Sequence, residues 1–197
     1  MRRPFAVVTV VAMSCVALAS EAIAQERKGF WFDVGFGVGS AGVSSDEAEG
    51  SRGAVGIGTF KLGWALNPQL LLGMDFRLMT LDVTGDVVGT LDAYNVEAVV
   101  VYYPRVSSGL FILGGVGGSF LDLNIEEQGS TLTSNVAKGI GLSAGVGYDF
   151  YLGRGFSLTP AATFWYGHTG DVTFRGGTLA SDWSHNAVDA TVSIKFN

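Results

Sequence analysis

Residues 185–197, HNAVDATVSIKFN, constrain this chain more than any other stretch. Val188, Ala190, Val192, Ile194 and Phe196 are apolar, while Asp189, Thr191, Ser193 and Lys195 between them are polar or charged. A period of two sends the two sets to opposite faces of a β-strand. The run ends on an aromatic one residue before the last. It reads as the closing strand of a transmembrane barrel, with its apolar face on lipid and its polar face on the lumen. The strands before it should then follow the same rule.

The N-terminus reads as a targeting segment. Arg2 and Arg3 precede an apolar run over residues 5–19, and Ala22-Ile23-Ala24 supplies small residues where a signal peptidase needs them. Residues 1–24 are therefore expected to be a signal peptide and residues 25–197 the barrel. The apolar run is short for a spanning helix, which needs roughly 20 residues. Cys15 follows Ala12-Met13-Ser14, as a lipid-attachment site would, but the apolar stretch continues past it to Ala19 and argues against that reading. Residues 25–197 contain no cysteine, so an exported chain has to be held by hydrogen bonds and packing alone.

The net charge of −6 becomes about −7 once Arg2, Arg3 and Glu21 are removed. With no basic run, this argues against nucleic acid or anionic lipid heads as partners. Glycine supplies 29 of 197 residues, about twice its usual share of roughly 7%. Together with the aromatics, it suits tightly curved strands rather than disorder. After residue 24 no apolar run is long enough for a spanning helix.

Seven further strands can be traced. Over residues 29–40, Phe30, Phe32, Val34, Phe36 and Val38 share one face and Trp31 and Asp33 the other. Asp33 is costly in hydrocarbon, so the aromatic face points outward. Residues 53–66 set Phe60, Leu62 and Trp64 outward, with Thr59 and Lys61 inward. After Asn67-Pro68, a strong turn signal, Leu70, Leu72, Met74, Phe76 and Leu78 alternate with inward Gly73, Asp75 and Arg77. Residues 91–103 place Tyr94, Val96, Ala98, Val100 and Tyr102 outward and Asn95 and Glu97 inward. Residues 109–121 are assigned with Leu110, Ile112, Val116 and Phe120 outward, although their faces differ less. Residues 136–152 alternate Ile140, Leu142, Ala144, Val146, Tyr148 and Phe150 with glycines, Ser143 and Asp149. Residues 156–167 set Leu158, Ala162, Phe164 and Tyr166 against Ser157, Thr159, Thr163 and Trp165.

Three connections are short, near Asn67, Pro104 and Arg154. Four are longer and polar, over residues 41–52, around Thr84-Gly85-Asp86, and over residues 122–135 and 168–184. Short turns on one side and long loops on the other mark a membrane barrel, with the turns and both chain ends in the periplasm. Aromatics gather near strand ends as interface girdles, with Phe30, Trp64, Tyr102, Phe150, Phe156 and Phe196 at the turns and Tyr94, Phe120 and Tyr166 towards the loops. A soluble sandwich or lipocalin-like barrel would also alternate, but with the apolar face inward. Its solvent face would then be mostly glycine and serine, a poor composition for an exposed strand surface.

On these residues the chain resembles the small eight-stranded outer-membrane barrels of Gram-negative bacteria, the OmpA-type and opacity-type group. The glycine-rich strand Gly139-Ile140-Gly141-Leu142-Ser143-Ala144-Gly145-Val146-Gly147-Tyr148 and the closing Val192-Ser193-Ile194-Lys195-Phe196 carry the likeness. Members usually end on the aromatic, whereas Asn197 follows it here. The resemblance implies an all-β, eight-stranded antiparallel up-and-down transmembrane β-barrel. It implies outer-membrane lipids as surroundings, the outer-membrane assembly machinery as a partner during biogenesis, and no cofactor. It says little about activity, because the scaffold serves adhesins, lipid-modifying enzymes and proteins of no known activity.

Counting back from the turns sets Lys61 opposite Asp75, Asp75 opposite Glu97, and Arg77 diagonal to Glu97. A charge cluster of Lys61, Asp75, Arg77 and Glu97 is therefore expected inside the lumen. In so narrow a barrel it reads as a plug, and otherwise as a gated polar path. Inward Trp31, Met79, Phe111, Leu113 and Trp165 either fill space or line a pocket for a hydrophobic ligand. His168, Asp171, Ser184 and His185 flank the last loop. A lipid A deacylase on this kind of barrel has its histidine closely followed by Ser-Asn, whereas His168 is followed by Thr169-Gly170. These residues are therefore expected to be solvated loop positions. No metal-ligand spacing occurs. The expected function is a non-enzymatic outer-membrane barrel with a structural or surface-interaction role. A narrow channel or hydrophobic-ligand conduit is the alternative, a lipid-modifying enzyme ranks behind both, and the loops carry no motif that names an extracellular partner.

Overall fold

Alternation this regular leaves the chain few options other than strands, and strands are what form. The computed structural model describes residues 27–44, 52–83, 89–127, 130–174 and 177–197, so the expected signal peptide over residues 1–24 lies outside the described residues. The strands are β1 (Gly29–Ser44), β2 (Arg52–Asn67), β3 (Leu70–Val83), β4 (Gly89–Tyr102), β5 (Leu110–Glu127), β6 (Ser130–Tyr148), β7 (Phe150–Gly153), β8 (Phe156–Phe174) and β9 (Gly177–Phe196). Every pairing is antiparallel, and from β1 to β6 and from β7 to β9 each strand lies beside its sequence neighbours. β1 also pairs with β9, from Phe32 opposite Phe196 to Ser44 opposite Ser184. β6 pairs directly with β8, and the four-residue β7 carries the β6 wall onward past Asp149 to pair with the start of β8. The wall is thus eight strands closed on itself, which leaves an interior that side chains alone can fill.

The two faces fall as the alternation requires. Phe36 and Val38 are 75% and 71% exposed on the outside of β1. On β9, Val188, Val192 and Ile194 are exposed and Phe196 is half-buried, while Asp189, Thr191, Ser193 and Lys195 between them are buried. Leu72, Met74, Phe76, Leu78, Val100, Ile112, Val116, Leu142 and Phe164 continue the apolar exterior around the wall. Asp75, Arg77 and Glu97 are no more than 3% exposed. A sheet with charges inside and hydrocarbon outside inverts a soluble barrel, and only an apolar surrounding makes it stable. A concavity of about 640 Å³ in this wall is lined by outward Leu72, Ala98, Val100, Gly114 and Val116 together with Gly73, Val99, Gly115 and Ser143 between them.

The strands run further than the sequence suggests at the end away from the short turns. Residues 122–135 were expected as a loop, yet β5 and β6 stay paired up to Glu127 opposite Ser130. Residues 168–184 likewise form a hairpin, with β8 and β9 paired up to Phe174 opposite Gly177. Polar composition suggests a loop when one strand face is assumed to be apolar. Above the lipid belt both faces of a strand meet polar surroundings, and the backbone ladder continues without that signal. The tips of the loops after β1 and β3, residues 45–51 and 84–88, lie outside the described residues.

The short turns form where expected. Asn67 Oδ1 accepts the backbone N–H groups of Gln69 and Leu70 at 2.9 and 3.0 Å, bending the chain at Asn67-Pro68. Gly153, Arg154 and Gly155 take φ of 102°, 54° and 83°, a left-handed corner in which arginine is the unusual occupant. Backbone bonds from Tyr103 N–H to Gln69 O and from Asp149 N–H to Gly109 O tie neighbouring turns together. At the seam between the chain's two ends, the Phe196 ring sits 5.4 Å from Phe32 and 5.2 Å from Phe156. At the opposite girdle Tyr94 stacks on Phe120 at 5.1 Å.

Candidate functional site

Because odd-numbered positions point inward along most of the wall, the lumen is a column of side chains, and it divides into four levels. At the turn end lies a polar node. Tyr103 Oη donates to Asp149 Oδ2 at 2.6 Å, and Thr159 Oγ1 donates to Asp149 Oδ1 at 2.8 Å. Lys195 Nζ donates to Tyr103 Oη and lies 3.2 Å from Asp149 Oδ2. Arg27, which precedes β1, inserts here. Its guanidinium lies 3.6 Å from the centre of the Tyr103 ring and donates to the carbonyls of Val106 and Ser108 at 3.2 and 2.9 Å. Burial and then the adjacent Asp149 carboxylate push the Tyr103 hydroxyl well above its ordinary pKa, so it stays a neutral donor. Tyr103 lies just past the end of β4, outside the lipid-crossing wall.

Above the node Trp31, Leu71, Val99, Val101, Phe111 and Leu113 pack into an apolar cluster. A cavity of about 20 Å³ reaches from this cluster to Asp33, Lys61 and Lys195, room for roughly one water-sized body. The third level is ionic. Lys61 Nζ donates to Asp33 Oδ1 at 2.9 Å, and Ser193 Oγ donates to Asp33 Oδ2 at 2.5 Å. Arg77 bridges two carboxylates, with Nη1 2.7 Å from Asp189 Oδ2 and Nη2 3.2 Å from Asp75 Oδ2. Glu97 accepts from Asn95 Nδ2 at 2.8 Å and from Ser143 Oγ. A second apolar cluster, with Val55, Ile57, Met79, Leu121 and Trp165 at its centre, closes the column.

All four expected charges are buried in the lumen, and the registers are Lys61 opposite Asp75 and Asp75 opposite Glu97. The contacts differ from the register. Lys61 makes its ion pair with Asp33 on β1 rather than with Asp75, and Glu97 accepts from neutral donors. Facing positions on adjacent strands do not decide pairing inside a narrow cylinder, because long side chains also reach strands on either side and across the axis. Asp33, Asp149, Asp189 and Lys195 are inward positions that the alternation marks. Arg27 stands outside any periodic run, and no sequence signal points to it.

The expected pocket residues separate. Trp31, Phe111 and Leu113 belong to the lower cluster, Met79 and Trp165 to the upper, with the ionic level between them. The residues around the last connection do not converge either. His168 is exposed on β8, whereas His185 on β9 is buried, with Nε2 3.4 Å from Ser119 Oγ and its ring edge-on to Trp165 at 5.6 Å. His185 is therefore an interior strand residue and not the solvated loop residue expected. Ser184 Oγ shares a 2.9 Å hydrogen bond with Ser44 Oγ, and the Asp171 side chain lies outside the described residues. Among the described residues no three His, Cys, Asp or Glu side chains are placed to hold a metal ion.

No protein-family model matches this chain, and no curated protein is similar to it. Solved structures are similar in backbone course. Neisserial surface protein A is 19% identical, over 84% of this chain and 97% of that one, with a TM-score of 0.60. Ail, the attachment invasion locus protein of Yersinia pestis, is 14% identical, over 86% of this chain and 99% of that one, with a TM-score of 0.56. Closed wall, inverted polarity and these likenesses agree, and the fold is that of the small eight-stranded outer-membrane β-barrels.

Proposed function

We propose that this is an integral protein of the bacterial outer membrane, without enzymatic activity, whose lumen is shut and whose role is structural or exercised through its outer hairpins. The observation that carries the reading is the filled column, in which paired charges and packed aromatics span the bore at four successive levels. The short turns and both chain ends are assigned to the periplasm. The β5–β6 and β8–β9 hairpins then reach outward beyond Val116 on β5 and Val188 on β9, the last exposed large aliphatic positions among the described residues of those strands. They are the surfaces offered to a partner.

A hydrophobic-ligand conduit is the competing reading. What favours closure over it is that the two apolar clusters are interrupted by Arg77, Asp75 and Asp189, which a hydrocarbon would have to desolvate and separate. In planar bilayers the protein should show background conductance, and Arg77→Ala should change this little if the levels are redundant. Large ion-selective openings in the unmodified protein would reject the closed lumen. For the assigned orientation, an epitope placed within residues 45–51 should be reached by antibody on intact cells, and one at Gly155 only after permeabilisation. Lipid A from cells with and without the protein should have the same mass spectrum, whereas a change in acylation would reinstate an enzymatic role.

A further inference from the structure

The charges buried in the barrel do not balance. Among the described residues four cations, Arg27, Lys61, Arg77 and Lys195, share the interior with five carboxylates, Asp33, Asp75, Glu97, Asp149 and Asp189. Asp33 is paired with Lys61, Asp75 and Asp189 with Arg77, and Asp149 with Lys195 and more distantly with Arg27. No ion pair to Glu97 is found among them. Its oxygens meet the Asn95 amide and the Ser143 hydroxyl instead.

The surroundings of Glu97 explain why no cationic side chain reaches it. A Cβ at Gly115 would come within 2.5 Å of Oε2, and one at Gly141 within 3.1 Å of Oε1. The carboxyl group therefore fills a slot between bare stretches of β5 and β6. The groups that face it are Gly115 and Gly117 from β5, Gly141 and Ser143 from β6, Asn95 from β4, and Asp75 opposite with Arg77 diagonal on β3. A metal ion would need several oxygen ligands, and no such group is assembled among the described residues. Asn95 Oδ1, on a residue 1% exposed, has no hydrogen-bond donor. That amide keeps its Nδ2 on Oε1, and the Ser143 hydroxyl, which can accept as well as donate, offers a hydrogen on Oε2 its acceptor.

We propose that the folded barrel binds one proton in its lumen, on Glu97, which is a neutral carboxylic acid at neutral pH. The proton comes from water, forms an O–H bond, and brings the interior to charge balance without any further side chain. An isolated buried carboxylate is costly in a medium of low polarisability, and neutralisation is the usual way out. The interior of the barrel then becomes responsive to alkali, because removing this proton leaves a second anion beside Asp75. The inference does not depend on what the outer hairpins bind.

The experiment compares Glu97→Gln, the neutral isostere, with Asp189→Asn, which removes a carboxylate that Arg77 needs. Infrared spectra of the folded protein in bilayers at neutral pH should contain the C=O stretch of a protonated carboxylic acid, and Glu97→Gln should abolish it. Glu97→Gln should also retain the heat-modifiable gel shift and the unmodified protein's thermal midpoint at neutral pH, while Asp189→Asn lowers that midpoint. Absence of the band from the unmodified protein, its persistence in Glu97→Gln, failure of Glu97→Gln to fold, or a loss of midpoint equal to that of Asp189→Asn would each overturn the assignment.

Discussion

At the scale of single residues, the cost of a change depends on which side of the wall the side chain occupies. Leu142 is half-exposed on the outer face of β6, and arginine there should cost about 2–4 kcal/mol if the position faces the bilayer midplane. Urea unfolding in bilayers would measure this, and a neutral result would contradict the facing. Asp189, 3% exposed, holds Arg77 at 2.7 Å. Arg77 keeps Asp75 at 3.2 Å when Asp189 is lost, so Asp189→Asn removes one of two charge-assisted bonds and should destabilise by about 1.5–3 kcal/mol in the same assay. Tyr103 gives a dependence on pH. Its folded value is raised by burial and then by Asp149, so its contribution is fully present below the ordinary tyrosine value of about 10 and is lost as the pH rises through the folded value. Thermal midpoints taken across that alkaline range should fall for the unmodified protein. With Tyr103→Phe, that part of the fall should disappear.

At the scale of elements, the eight wall strands and their facing are legible in the sequence because one physical rule, alternation against lipid, acts on every strand. Even β5, whose Phe111 and Leu113 blur the contrast, turns Leu110 and Ile112 outward as assigned. The strand ends away from the short turns are not legible, because beyond the lipid belt nothing forces alternation and a paired strand resembles a polar loop. The lumen contacts were legible only in part. Register gave the neighbours of Asp75 correctly, but Lys61 chose Asp33 through the reach of its side chain, and Arg27 entered from outside any strand. The seam between β1 and β9 also yields a prediction. Phe196 makes two aromatic contacts, with Phe32 and Phe156, each worth about 0.5–1.5 kcal/mol. Phe196→Ala should therefore lower stability by roughly 1–3 kcal/mol and shift the heat-modifiable transition to lower temperature.

At the scale of the whole molecule, the barrel has no continuous hydrophobic core of the soluble kind. Its interior alternates polar and apolar levels, and its largest apolar surface is the exterior. Stability is therefore shared between the solvent that surrounds the wall and the charges that fill it. Closure itself sets a condition on how the molecule is made. The neighbour of β1 on one side, β2, follows it directly, but on the other side it is β9, the strand that ends at Phe196. A chain that emerges from the ribosome in order has nothing to cover that flank of its first strand until β9 has been made. Until then the flank is an open template for the wrong neighbour, so the polypeptide has to be kept unpaired until β9 is present, and its closure is governed by the long-range contact between β1 and β9.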